Sequence, residues 1–188
     1  ILLEGVNDLG VLTRDAPATA EEHARIVAEI TGAYRQLAER ARAHGIRLIG
    51  GTITPFVGNE YYHPGPESEA DRQAINAFIR DSGTFDAVID FDAALRDPAN
   101  PARMLPAYDS GDHLHPSEAG YAAMADAVPL DLFAEPLAMA TDAAAPMLAI
   151  TVDDLPAHGP LPAGETHLAV TRTLITAFRN AGATAPMG

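Results

Sequence analysis

Ile1-Leu2-Leu3-Glu4-Gly5-Val6-Asn7-Asp8-Leu9-Gly10 is the stretch on which the fold turns. Its first six residues read as a short buried strand, and Asn7–Gly10 reads as a polar, glycine-punctuated turn that follows it. Open α/β sheets bind ligands beyond the C-terminal ends of their strands, which makes Asn7 and Asp8 candidate site residues. Downstream, Thr19 and Glu22 form a capping box. Ile26, Ile30, Tyr34, Leu37 and Ala41 then recur at helical spacing until Gly45. Arg47–Ile53 is the next strand, and its loop carries Asn59, Tyr61, Tyr62 and His63 into a helix from about Glu67 to Ser82. Asp86–Phe91 is a third strand. Beyond a loop rich in Pro, Asp and Gly, Ser117 caps a helix to about Val128, so Asp112-His113-Leu114-His115-Pro116 lies directly before a helix start. Strands alternating with helices predict an α/β fold with a parallel, doubly wound, three-layer sheet.

The texture changes over residues 129–146, where Ala, Pro, Met and Asp dominate without periodicity, and this stretch reads as a linker. Met147–Val152 is a β-branched apolar run. It is followed by Asp153-Asp154-Leu155-Pro156-Ala157-His158-Gly159 and a helix from about Glu165 to Ala181, with Gly182 as its stop. The organisation expected is therefore a main domain over 1–128, a linker, and one further strand–loop–helix unit over 147–188.

Composition narrows the chemistry. The 188 residues suit one compact domain, and the net charge is −14, with 12 basic residues that are all Arg. So acidic a chain is a poor partner for nucleic acid. Cysteine is absent, which removes disulfides, thiolate-bound zinc and thiol catalysis together, and leaves His, Asp and Glu as metal donors. No apolar run reaches about 18 residues, so no membrane-spanning helix is expected.

Two motifs give the first domain a family likeness. Gly5-Val6-Asn7-Asp8 resembles the G-x-N-D block of SGNH/GDSL hydrolases, and Asp112-His113-Leu114-His115-Pro116 resembles their D-x-x-H-P block. The resemblance implies that Asn7 donates to an oxyanion and that Asp112 and His115 belong to a catalytic triad. The family's nucleophilic Ser lies on a strand upstream of the G-x-N-D block, and the quoted sequence starts at the strand of that block. Residues 147–188 resemble a different family, the opening strand and helix of a polysaccharide deacetylase, whose T-F-D-D block corresponds to Thr151-Val152-Asp153-Asp154. That resemblance implies a general base at Asp153 and a divalent metal ligand at Asp154.

These likenesses lead to a specific expectation. In the SGNH fold the Ser-bearing strand is central and pairs beside the G-x-N-D strand, and an edge left without it needs cover. Met147–Val152 is the candidate cover, with its helix in place of the lost one; a linker of about 18 residues at roughly 3.3 Å per residue is long enough to reach. Exchange of that strand between two chains, giving a homodimer, closes the same edge. Asp153, Asp154 and His158 would then face Asn7, Asp8, Asp112 and His115. An extended backbone turns His113 and His115 to one side, so these two, with Asp153, Asp154 and His158, form a candidate ligand set for a divalent metal, Zn²⁺ before Mn²⁺. A metal-activated water would attack a small carboxylic or phosphate ester without any Ser, and Asp112 or Asp153 would orient a ligand or act as base.

Plainer readings stand beside each of these. Asp153-Asp154 also suits a solvated helix cap, Asn7 a partner for loop backbone groups, and His63, Tyr61 and Tyr62 a substrate-facing loop or ordinary surface. His23, His44 and His167 read as solvent-facing. Three functions follow: a metal-dependent ester hydrolase, the remainder of an SGNH serine esterase that needs its Ser-bearing segment, or a folded module without catalysis.

Overall fold

The computed structural model describes residues 1–133, 164 and 166–180. The chain divides into two compact units, Ile1–Asp142 and Ala143–Gly188. In the first, β1 (Ile49–Gly51) and β2 (Ala87–Ile89) pair in parallel, with Ile49 opposite Ala87 and Gly51 opposite Ile89. Leu2 adds a third rung alongside β1, donating its N–H to Ile49 O at 2.8 Å and accepting from Gly51 N at 2.7 Å. The α/β expectation holds. This ladder is shorter than the three-layer doubly wound sheet expected, and of Ile1–Val6 only Leu2 forms a bridge among the described residues. Glu4 gives its carbonyl to the Tyr34 hydroxyl at 2.6 Å, and Gly5 turns the chain into a helix.

Alternation along the strands sends side chains to two clusters. Val88 packs with Leu9, Ile30, Tyr34, Ile53, Phe56, Ile75, Ile79 and Phe85, drawn largely from α1 (Val6–Arg14), α2 (Ala20–Ala43) and α3 (Pro66–Asp81). Ile49 and Ile89 pack with Phe91 of α4 (Phe91–Leu95) and with Met124 of α5 (Glu118–Asp126). The glycines of β1 admit this crowding: a Cβ at Gly50 would lie 2.8 Å from the Phe85 ring, and one at Gly51 would lie 2.9 Å from the Phe91 ring.

The expected capping box at α2 is present, with Thr19 and Glu22 exchanging side-chain bonds to each other's backbone. Elsewhere the polar residues depart from expectation. His23 of α2 is buried, not solvent-facing, with Nδ1 2.5 Å from Asp71 Oδ2 of α3. Residues 96–104, read as loop, form an antiparallel hairpin of β3 (Arg96–Asp97) and β4 (Asn100–Met104). Fully buried Arg72 fastens this hairpin to the sheet, donating to Asp92 Oδ1 at 2.7 Å, to Ile53 O at 2.8 Å and to Pro101 O at 3.3 Å, besides Glu69.

The first residues of the expected linker belong to this unit. Leu130–Phe133 form a 3₁₀ turn, Leu132 packs against the Ile49 cluster, and its carbonyl accepts from Arg47 Nη1 at 2.9 Å. In the second unit, α6 (His167–Asn180) falls within the helix expected, with the Thr166 hydroxyl accepting from Ala169 N at 3.1 Å. The strand at 147–152, Asp153, Asp154, His158 and the covering or exchanged-strand arrangement lie outside the described residues. No helix among the described residues is long and apolar enough to cross a membrane.

Candidate active site

Gly5 has φ +105°, a conformation that costs glycine little and other residues much. It is also enclosed, since an added Cβ would meet Ile53 Cδ1 at 3.1 Å and Tyr34 Oη at 3.2 Å. Here the segment bridged at Leu2 gives way to α1, so Asn7–Gly10 are helical rather than the turn expected from their polarity. Packing decides the matter, with Leu9 and Gly10 buried against the core. Asn7 therefore stands in the first helical turn, where backbone N–H groups lack intrahelical acceptors and the helix dipole favours negative charge. Its Oδ1 accepts from the Tyr62 hydroxyl at 3.0 Å. Asp8, about 100° further round the helix, instead lines a groove with Glu4, Glu29 and Tyr34. Burial, reinforced by Asp8 and Glu4, pushes the Tyr34 phenol up from its ordinary range.

The D-x-x-H-P block is a loop that folds on its own carboxylates. Its neck is closed by Ser117 N to Tyr108 O at 2.7 Å and Ser110 N to His115 O at 3.1 Å. Inside, Asp109 Oδ1 accepts from Gly111 N and His113 N, and Asp112 Oδ1 accepts from the N–H groups of Leu114 at 2.9 Å and His115 at 2.8 Å. The second oxygen of each carboxylate takes a histidine: Asp112 Oδ2 lies 2.6 Å from His115 Nδ1, and Asp109 Oδ2 lies 2.5 Å from His113 Nδ1. Burial raises the Asp112 carboxyl, but hydrogen bonds from the His115 ring, the two N–H groups and Ser110 Oγ more than offset this and hold it well below the usual carboxylate range. A carboxylate held ionised at Asp112 accepts from the His115 ring and favours the tautomer that carries its proton on Nδ1. Ser110 Oγ donates to Asp112 Oδ1 at 3.0 Å, and Ser117 caps α5 by accepting from Gly120 N at 3.2 Å.

The two motifs share one neighbourhood. Leu114 packs on the cluster that contains Leu9, and Asn59 Nδ2 donates to Asp112 O at 2.8 Å. Tyr121 of α5 lies close enough to Asp112 for that charge, after burial, to raise its phenol. Of the residues singled out in the sequence, Asn7, Asp112 and His115 thus sit on one connected framework, while Asp8 faces α2. Tyr62 is buried, in contrast to the surface loop expected, and Tyr61 is exposed beneath the Arg14 guanidinium.

The metal reading meets a geometric obstacle. His113 has φ +60°, so the backbone between the histidines is not extended, and each ring turns to its own aspartate. Zinc sites in proteins use three or four protein donors, and among the described residues no three His, Asp or Glu side chains converge on a point. His113 and His115 therefore meet no third donor among the described residues, and the rest of the expected ligand set, Asp153, Asp154 and His158, lies outside them.

A histidine bonded to an aspartate in the 109–116 loop, with an asparagine in the first turn of α1, fits an α/β ester hydrolase. The chain belongs to the GDSL-like lipase/acylhydrolase family, whose model matches residues 1–123. Comparison with curated proteins gives no match. Sequence reasoning overlooked Asp109, and it named Asn59, Tyr62 and Gly10 without the contacts they make here. The D-x-x-x-H spacing of Asp109 and His113 was a usable signal; nothing local to Tyr62 announced its burial.

Proposed function

We propose that this chain carries the acid–base and oxyanion parts of a serine acylhydrolase that cleaves carboxylic esters. The observation that carries the reading is the Asp112 Oδ2 to His115 Nδ1 bond of 2.6 Å within the D-x-x-H-P loop. In this mechanism His115 Nε2 takes the hydroxyl proton of a Ser as that oxygen attacks the ester carbonyl, and passes it to the departing alcohol. The acyl-enzyme is then released by water, with His115 again the base. Negative charge on the former carbonyl oxygen is met by the Asn7 Nδ2 amide and the N-terminal turn of α1. The family places the nucleophile on the strand upstream of Gly5–Asp8, so the reading requires that Ser-bearing strand beside Leu2. Ser110 and Ser117 are poor substitutes, one bonded to Asp112 and the other capping α5. A net charge of −14 disfavours anionic substrates, which points to neutral acyl esters.

The test is p-nitrophenyl acetate turnover and fluorophosphonate labelling, with the Ser-bearing strand supplied. Both are expected to fall by about 10³-fold or more in His115→Ala; turnover unaffected by that change would overturn the proposal. Chelation arbitrates the competing reading. Activity lost to chelator and restored by zinc would favour the metal-dependent reading, whereas turnover that survives belongs to the serine route.

A further inference from the structure

The structure assigns to Tyr62 and Asn59 the role of positioning residues that join the Asn7 amide to the Asp112–His115 loop; this rests on the ester-hydrolysis reading above. The α1 helix devotes one face, spaced i, i+3, i+6, to Tyr62. Asn7 Oδ1 accepts from the Tyr62 hydroxyl at 3.0 Å, and Thr13 Oγ donates to Tyr62 O at 2.9 Å. Between them Gly10 leaves room for the ring: a Cβ there would lie 2.3 Å from Tyr62 Cγ and 2.4 Å from Cδ2. Glycine weakens a helix interior relative to alanine, so its presence in α1 needs a reason, and the Tyr62 ring supplies one.

The hydroxyl bond has a directional consequence. A tyrosine O–H donating to Asn7 Oδ1 fixes which end of the amide faces Tyr62 and turns the Nδ2 donor the other way. A primary amide can serve an oxyanion only through that nitrogen, so the orientation of Asn7 decides whether it helps. Tyr62 is itself held by Asn59, whose Oδ1 accepts from Tyr62 N at 2.9 Å and Tyr61 N at 3.2 Å. The same buried Asn59 uses Nδ2 to grip the Asp112 carbonyl at 2.8 Å. One asparagine thus ties the loop that carries the base to the ring that aims the oxyanion donor.

The test uses Tyr62→Phe, which keeps the ring seated on Gly10 and removes only the hydroxyl, with exposed Tyr61→Phe as control. In the chain labelled with ¹⁵N-asparagine, the Asn7 side-chain NH₂ resonances are expected to move in Tyr62→Phe and stay in place in Tyr61→Phe. In the ester assay kcat is expected to fall about tenfold, less than the roughly 10²–10³-fold lost when such a donor is removed outright, with KM changed less than about twofold. Asn59→Ala is expected to shift both the Asn7 amide and the Asp112 carbonyl resonances. An unmoved Asn7 amide in Tyr62→Phe, with kcat intact while His115→Ala abolishes turnover, overturns the positioning role. Should His115→Ala leave turnover unchanged, the hydrolase reading itself fails, and the amide spectra still decide whether Tyr62 orients Asn7.

Discussion

Asp112 accepts four hydrogen bonds on its two oxygens. Its folded-state pKa lies below the ordinary value near 3.9, so its bonds contribute stability above that value and lose it as pH falls toward the lowered one. The loop is therefore expected to keep its geometry down to about pH 4, and a ¹³C titration of the Asp112 carboxyl should show it still ionised there. Normal titration of that carbon would contradict the bonding described. Asp112→Asn keeps the shape but removes the charge that holds the Nδ1 tautomer of His115. By analogy with other carboxylate–histidine pairs, kcat is expected to drop by about 10²–10⁴-fold with KM little affected. The side chain is half exposed, so the cost in global stability is expected to be small.

At the scale of elements, the junction between the 109–116 loop and α5 depends on Gly120. A Cβ there would lie 2.5 Å from Tyr108 O and 2.8 Å from Pro116 Cβ, and a backbone carbonyl cannot swing aside as a long side chain can. Gly120→Ala gains at most about 1 kcal/mol of helix propensity against about 1–3 kcal/mol of forced overpacking. A net loss of stability in urea denaturation is expected, along with reduced turnover as the neck opens; an unchanged or raised midpoint would refute this. The elements also mark how far the sequence could be read. Thr19 and Glu22, the helix over 66–81 and the Ser117 cap follow local rules, and their positions were legible within a residue or two. Asn7–Gly10 was not, because its polarity argues for a turn while the burial of Leu9 and the seat at Gly10 depend on residues more than 20 positions away. Asp112 and His115 came from the D-x-x-H-P resemblance, and their side chains are bonded to each other. The left-handed turn at His113, which separates the two imidazoles, is a backbone state that the extended-strand reading overlooked.

For the molecule as a whole, the most exacting arrangement is the ionic network around Asp92. This fully buried carboxylate receives Arg72 at 2.7 Å, Arg80 at 2.6 Å and Arg96 at 3.3 Å, and Arg80 also clamps Asp90. Arg72 links α3, the end of β1, α4 and the hairpin in one side chain. Removing one partner of a buried pair costs about 3–5 kcal/mol, because the remaining charge stays in low dielectric. Arg72→Met is expected near the lower end of that range, since Arg80 and Arg96 still neutralise Asp92. Urea denaturation measures this directly, and a loss below about 1 kcal/mol would mean the network is dispensable.

The closed neck and inward-facing carboxylates of residues 109–116 have an evolutionary consequence. Because Asp109 and Asp112 satisfy the loop's own N–H groups and hold both histidine rings, the loop's shape is set largely from within. Exposed residues elsewhere, such as Tyr61 and His63, can therefore change under selection without moving the loop's backbone.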